Sequence, residues 1–322
     1  MLVLASPASL KGVLSPREAA SLLARGLRRV PGVDVDEAPV ADGGEGTAAV
    51  IQASLGGTWH TAQVGDPLGR PVSARWLLLD DGTAVVESAQ AIGLPRLRRN
   101  ERNPLRTTSR GLGELLLAAL GERPTSLFVC VGGTATVDGG VSMRQVVGSR
   151  LEGVPLRVLC DVRNPLLGER GAARVFGPQK GARPDAVEVL EARLAALDEL
   201  APFRDLPGAG AGGGLGAAFA ALGGELVEGA ELVLDTINFD ERARAASLVV
   251  TGEGTVDATT LEGKAPGAVV RRCARLGVRC ELFGGAVRAG MRAHALSGRR
   301  ARAGEDLVRL GEELAAGLVG SG

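Results

Sequence analysis

The chain has 322 residues, 45% of them hydrophobic and 23% charged, which is enough for one large domain or two ordinary ones with buried cores. Its 37 basic residues are offset by 37 acidic ones, and aromatics make up only 2% with no tyrosine, so neither nucleic acid nor an acidic membrane is expected as a partner, and a small ligand is. Cys130, Cys160, Cys273 and Cys280 form no CxxC pair and lie near neither His60 nor His294, which argues against a zinc site or a disulfide framework and points to the cytoplasm.

In chain order, residues 2–5 read as a first buried strand rather than a leader, since no basic segment precedes them. Ser15-Pro16-Arg17-Glu18 spells a capping box with proline at the first helical position, and predicts a helix to about residue 30. A second β-α step follows through 33–35, the loop 41–47 and the apolar segment 48–55. From residue 57 the texture changes to strands at 59–64, 72–79 and 84–87 with a turn at Asp80-Asp81-Gly82, which is hairpin-rich. Helix 109–120 and strand 127–131 restore the β-α texture, as do strand 248–251 and helix 265–276. Strand 156–160, a long helix 184–200 and the glycine stretch 208–216 go with the second texture. The tail after 287 offers one helix, 305–318, and no recognisable chemistry. Two interleaved domains are expected, 1–56 with 105–150 and 240–322, and 57–104 with 151–239, with their cleft as the natural ligand site.

Only three of the basic residues are lysine, and Lys11, Lys180 and Lys264 each touch a glycine in a compact polar motif. Arginine replaces lysine cheaply on a solvated face, but not where a compact ammonium must approach a phosphate or carboxylate in a tight space. Five segments combine glycine with a carboxylate or amide at expected strand ends: 41–47, 132–140, 160–165, 176–181 and 251–257. Glycine lets backbone N–H groups converge on an anion, and the acid beside it can hold magnesium or accept a proton. The run Gly208-Ala209-Gly210-Ala211-Gly212-Gly213 matches GxGxxG, but no strand precedes it, so close packing is its expected role. Gly263-Lys264 does not complete a Walker A motif, because Ala258 and Ala265 stand at positions that need glycine and Ser or Thr.

The segments DGGEGT, ERNPLRTTS, GGTATVDGG, CDVRNPL, FGPQKGA, GAGAGGGLGA and TGEGTVDATTLEGKAP, in that order, resemble the bacterial glycerate kinase family, type 1, from residue 2 to about 287. The resemblance implies an α/β fold in which a Rossmann-like parallel-sheet domain carries an inserted, discontinuous second α+β domain. It also implies transfer of the ATP γ-phosphate to D-glycerate with Mg2+, 2-phosphoglycerate being the favoured product. On that basis Lys264, Gly252 and Gly254 are assigned to the nucleotide phosphates and Glu253 and Asp257 to magnesium. Asp42 becomes the base or orienting group for the glycerate hydroxyl, and Lys11, Arg106 and Lys180 bind the substrate carboxylate or the moving phosphoryl group. Asp138, Asp161 and Asn164 complete the site, with Asp138 and Lys11 counted beside Asp42 as catalytic. Asp161 and Asn164 as helix caps, and Arg106 as a surface ion pair, are alternatives. The chain departs from the family at Ala8, where PDSFKG has a carboxylate, at Val137 in place of asparagine, and at Arg110; the 148–160 stretch and the tail are shorter. A binding remnant without turnover, or a kinase for a related small hydroxy acid, fits the same residues, and a homodimer is left open.

Overall fold

The structure is a computed structural model that describes residues 1–320, the side chain of Glu262 excepted. Residues 321 and 322, the end of the expected first domain, lie outside it. The described residues form strands β1 (Leu2–Ala5), β2 (Asp34–Glu37), β3 (Thr58–Gly65), β4 (Pro71–Leu78), β5 (Thr83–Glu87), β6 (Ser126–Cys130), β7 (Leu156–Cys160), β8 (Glu225–Glu228), β9 (Leu248–Val256), β10 (Cys280–Val287) and β11 (His294–Ala295). They fall into two sheets, one in each of two compact units.

The first unit comprises Met1–Asp42, Ala49–Leu55 and the chain from Ala230 onward. Its sheet has the order β11-β10-β9-β1-β2, and every neighbouring pair is parallel. Along β1, Val3 and Ala5 join one buried cluster with Leu23, Phe283 and Leu307, while Leu4 joins another with Val40, Phe239 and Val269. Successive side chains thus enter cores on opposite faces, as expected of a parallel sheet covered by helices on both sides.

Helix Pro16–Leu27 begins at the spelled capping box, with Glu18 N–H donating to Ser15 Oγ at 3.3 Å and Ser15 N–H donating to Glu18 at 2.8 Å. It packs on helix Ala303–Val319 so closely that a Cβ on Gly26 would lie 1.9 Å from the carbonyl oxygen of Val308. Gly26→Ala therefore forces the two helices apart. Overpacking of this kind costs roughly 2–3 kcal/mol, and the melting midpoint is expected to fall by about 5 °C. An unchanged melt would show that the contact relaxes at no cost.

The second unit comprises Gly43–Ala48 and Gly56–Gly229. Its sheet runs β3-β4-β5-β6-β7-β8, antiparallel from β3 to β5 and parallel from β5 to β8. This corrects the expected boundaries. Residues 105–150 belong here, because β6 is paired on both sides, Glu87 opposite Cys130 and Leu127 opposite Leu156, and helix Arg110–Gly121 buries Leu112, Leu115 and Leu116 in the same core. The return of the β-α texture at 109–131 marks the passage from antiparallel to parallel pairing inside one sheet. The later boundary falls at 229/230 rather than near 240, since Ala230 and Leu234 of helix Gly229–Thr236 pack with the first unit's core. The long helix expected over 184–200 stops at Ala195, and a 3-10 turn, Asp198–Phe203, follows it.

Candidate functional site

In the first unit the loop after β1 lies along β9: Ser6 N–H donates to Val250 O and Ala8 N–H to Gly252 O, each at 2.8 Å, and Thr251 Oγ1 donates to Ser6 O at 2.7 Å. β9 continues to Val256, so segment 251–257 is built largely within a strand and not beyond its end. Gly254 permits the close approach, since a Cβ there would sit 3.3 Å from Lys11 N. The result is a cavity of about 330 Å³ lined by Lys11, Glu253, Gly254, Lys264, Arg299 and Arg300, among others.

Lys264 precedes helix Ala265–Leu276 and holds its ammonium 3.5 Å from Glu253 Oε1 and 3.9 Å from Asp257 Oδ1. Both acids are fixed before any ligand arrives. Glu253 Oε1 accepts Thr260 Oγ1 at 2.7 Å, and Asp257 Oδ1 accepts Thr259 Oγ1 at 2.6 Å and Thr259 N–H at 2.9 Å. The Thr259 hydroxyl, with Lys264 nearby, holds the Asp257 carboxyl below the usual carboxylate range. Of the residues expected at this site, Lys11, Glu253, Gly254 and Lys264 line the cavity. Gly252 does not: it is buried against β10, where a Cβ would meet Phe283 O at 2.3 Å, so its lack of a side chain serves packing. Thr260, which the sequence reading passed over, stands three residues after Asp257 as in a capping box.

A separate polar cluster lies in the second unit. Asp138 Oδ2 accepts Ser109 N–H and Ser109 Oγ, both at 2.8 Å, and Oδ1 accepts Gly140 N–H at 3.1 Å. Desolvation nevertheless raises the Asp138 carboxyl above its ordinary range, against those hydrogen bonds. The Lys180 motif follows helix Ala172–Phe176, not a strand, and the side chain is only 4% exposed. Its ammonium donates to Thr134 Oγ1 at 3.1 Å and Thr136 O at 2.8 Å, so Lys180 braces the 132–140 loop from inside instead of facing a ligand as expected. The glycines of 208–216 press on the same loop: Gly213 has φ +79°, and a Cβ there would come within 2.0 Å of Thr136 O. That is the packing role expected of the GxGxxG match. Val137, the departure from asparagine, is buried in the core, and Arg110 forms an exposed ion pair with Glu114 at 3.0 Å.

Burial pushes the Lys180 ammonium down to about 7, partly opposed by Asp138. A base whose folded pKa lies below its unfolded value leaves the unfolded chain holding the extra proton between the two, so stability rises with pH there. Wild-type stability in urea is expected to climb relative to Lys180→Met between about pH 7 and 9. Parallel curves would show that Lys180 titrates normally.

The other expected site residues occupy loops. Asp42 is half-buried and is the last residue of the first unit before the chain passes to the second. Arg106 is exposed and has no ion-pair partner among the described residues, so it is no surface salt bridge. Asp161 is exposed after β7. Asn164 donates through Nδ2 to Arg170 O at 2.8 Å, a loop brace; the next helix begins only at Ala172, so neither residue caps it.

Magnesium keeps several waters and takes one or two protein carboxylates plus substrate phosphates. No group of three or more His, Cys, Asp or Glu side chains suited to a metal exists among the described residues. Glu253, on the cavity wall, and Asp257, on the far side of the Lys264 ammonium, meet the smaller requirement of hard oxygen donors, one oxygen of each accepting a threonine hydroxyl and lying near Lys264.

A parallel-sheet unit with a cavity walled by lysine, arginine and carboxylates, joined to a second mixed-sheet unit, is an architecture of α/β enzymes. The glycerate kinase family model matches residues 3–153 and 145–304. Glycerate 2-kinase of Escherichia coli K12 is 39% identical over 305 residues, covering 83% of this chain and 80% of that protein. Glycerate kinase of Bacillus subtilis 168 is 40% identical over 310 residues, covering 84% and 81%. A crystal structure of a Salmonella typhimurium LT2 protein assigned as glycerate kinase 2 superposes with a TM-score of 0.87 at 33% identity, covering 100% of this chain and 99% of that one. The chain belongs to the glycerate kinase family, kinases with an alcohol acceptor. No helix among the described residues is long and apolar enough to cross a membrane.

Proposed function

We propose that the chain transfers the γ-phosphoryl group of ATP to a hydroxyl of D-glycerate, giving 2-phosphoglycerate, as the name of its Escherichia coli relative has it. The observation that carries this reading is Lys264, set between Glu253 and Asp257 on the wall of a cavity that Lys11 and Gly254 complete. Phosphoryl transfer asks a protein for charge neutralisation, alignment and a proton acceptor, with little covalent chemistry. In this reading Lys264 neutralises phosphate oxygens, and Gly254 leaves room for them beside the strand. Glu253 and Asp257 hold magnesium, which supplies further neutralisation of the phosphates when bound. Asp42 accepts the hydroxyl proton. Lys11 and Arg106 bind the glycerate carboxylate or the moving phosphoryl group, Asp161 and Asn164 border the substrate, and Asp138 with Lys180 fixes the 132–140 loop.

The test is ADP release from ATP and magnesium with D-glycerate, with the product identified by NMR. D-glycerate-dependent release and a 2-phosphate ester are expected. Nucleotide binding without turnover would replace this reading by that of a binding remnant. Turnover only with other hydroxy acids would reassign the substrate.

A further inference from the structure

The tail after Val287, which carries no motif, supplies two residues of the cavity wall. Arg299 and Arg300 line it together with Lys11 and Lys264, against the carboxylates of Glu253 and Asp306. Both acids already have partners other than these arginines. Glu253 is engaged by Thr260 and Lys264. Asp306 is 2% exposed, accepts the Ser297 amide at 3.1 Å and the Ser297 hydroxyl, and faces Arg309 at 3.4 Å. Burial raises the Asp306 carboxyl, but the two Ser297 hydrogen bonds and Arg309 outweigh it and hold it ionised.

The arginines are not satisfied. Neighbours on the same segment have acid partners, Arg302 with Glu305 at 3.2 Å and Arg309 with Asp306 and Glu313. The guanidinium groups of Arg299 and Arg300 are exposed and have no carboxylate or hydrogen-bond partner among the described residues. Their loop is nevertheless built. Leu296 N–H donates to Gly284 O at 2.9 Å, Arg299 N–H donates to Ser297 Oγ at 3.3 Å, and Ser297 is pinned by buried Asp306. Ala303, the first residue of the following helix, lines the same cavity, and no side chain caps that end, so its positive pole adds to the cations. Unpaired planar guanidinium forks on a fixed loop suit phosphate oxygens, which they bind in bidentate fashion.

We propose that Arg299 and Arg300 bind the polyphosphate of the nucleoside triphosphate, so that the tail completes the nucleotide site; this rests on the reading of the cavity as that site. The affected quantity is affinity for a polyanion, and the more phosphates a ligand carries the more it depends on the pair.

Direct titration calorimetry with ATP, ADP, AMP and inorganic tripolyphosphate, each with magnesium, tests it. Arg299→Gln/Arg300→Gln is expected to weaken ATP and tripolyphosphate by about tenfold or more and AMP by much less, with an unchanged thermal melt and an unchanged D-glycerate KM. Arg299→Lys/Arg300→Lys, which keeps charge and loses the fork, should fall between. Equal ATP affinity in wild type and the Gln pair, while Lys264→Met weakens ATP, would overturn the tail's role and leave the cavity reading standing. A raised D-glycerate KM with unchanged ATP affinity would also overturn it, by moving the pair to the other substrate. No ATP binding by wild type would remove both readings together.

Discussion

Asp42→Asn is expected to lower kcat by about a hundredfold, about 2.7 kcal/mol of transition-state stabilisation, with little change in nucleotide affinity. Asp42 closes the loop after β2, half-buried, and the chain turns immediately at Gly43, whose φ is +90° and whose absent Cβ would lie 2.8 Å from Leu159 Cβ. The turn is held on its far side as well. Thr47 Oγ1 donates to Gly44 O at 2.8 Å, and Ala48 N–H donates to Glu87 at 2.7 Å, so helix Thr47–Leu55 starts from a fixed point. Asparagine preserves size and most hydrogen bonds in such a loop and removes only charge and basicity. A carboxylate near a transferring phosphoryl group is repelled by it, and is useful there only as a proton acceptor or a metal ligand. Steady-state kinetics beside a magnesium-nucleotide titration separates the two roles. Collapse of nucleotide affinity makes Asp42 a metal ligand. No change in either quantity makes the segment a turn alone, and passes the base role to Asp138 or Asp257.

Local signals in the sequence located elements well where a specific chemical cue existed. The Ser15-Pro16-Glu18 spelling marks the helix start that the structure shows, and helix Ala265–Leu276 has the bounds its periodicity predicts. The domain boundaries failed because periodicity describes a strand's faces, not the sheet it joins. β6 reads like the strands of the first unit, yet its neighbours are β5 and β7. At the candidate site, carboxylates beside glycines drew attention in the sequence, but turns use the same combination, and only the fold shows that Glu253 and Gly254 line a cavity while Gly252 serves packing. Lys180 was misplaced: its motif is as glycine-flanked as that of Lys264, but only tertiary packing shows that its ammonium turns inward to Thr134 and Thr136. The three lysines, alike in sequence, differ in setting: Lys11 exposed, Lys264 half-buried between two acids, Lys180 enclosed. Arg299 and Arg300 carried no signal at all, since they are two arginines in a basic tail and gain meaning only from what lies across the cavity.

Those differences sharpen the second large expectation, Lys264→Arg. Net charge and both acid neighbours are retained, so the protein should fold with an unchanged melt. The ammonium now shares itself between Glu253 at 3.5 Å and Asp257 at 3.9 Å without a bidentate hold on either, and so remains free to turn a proton toward a phosphate. A guanidinium prefers two parallel hydrogen bonds to one carboxylate. It would close on Glu253 or Asp257, occupy carboxylate oxygen that a metal would need, and fill cavity space. A loss of tenfold or more in kcat/KM is expected, about 1.4 kcal/mol, together with a weaker magnesium dependence. Lys264→Met should cost more, about a hundredfold, because Glu253 then loses its counter-charge and repels the incoming phosphate. Lys11→Arg should impair turnover as well, since Lys11 lines the same cavity, but less steeply, because an exposed cation without an ion-pair partner among the described residues has more room for the larger group. If Lys264→Arg matches wild type in rate and magnesium response, the ammonium is only a counter-ion to two acids, and the nucleotide phosphates are held by other groups of the cavity.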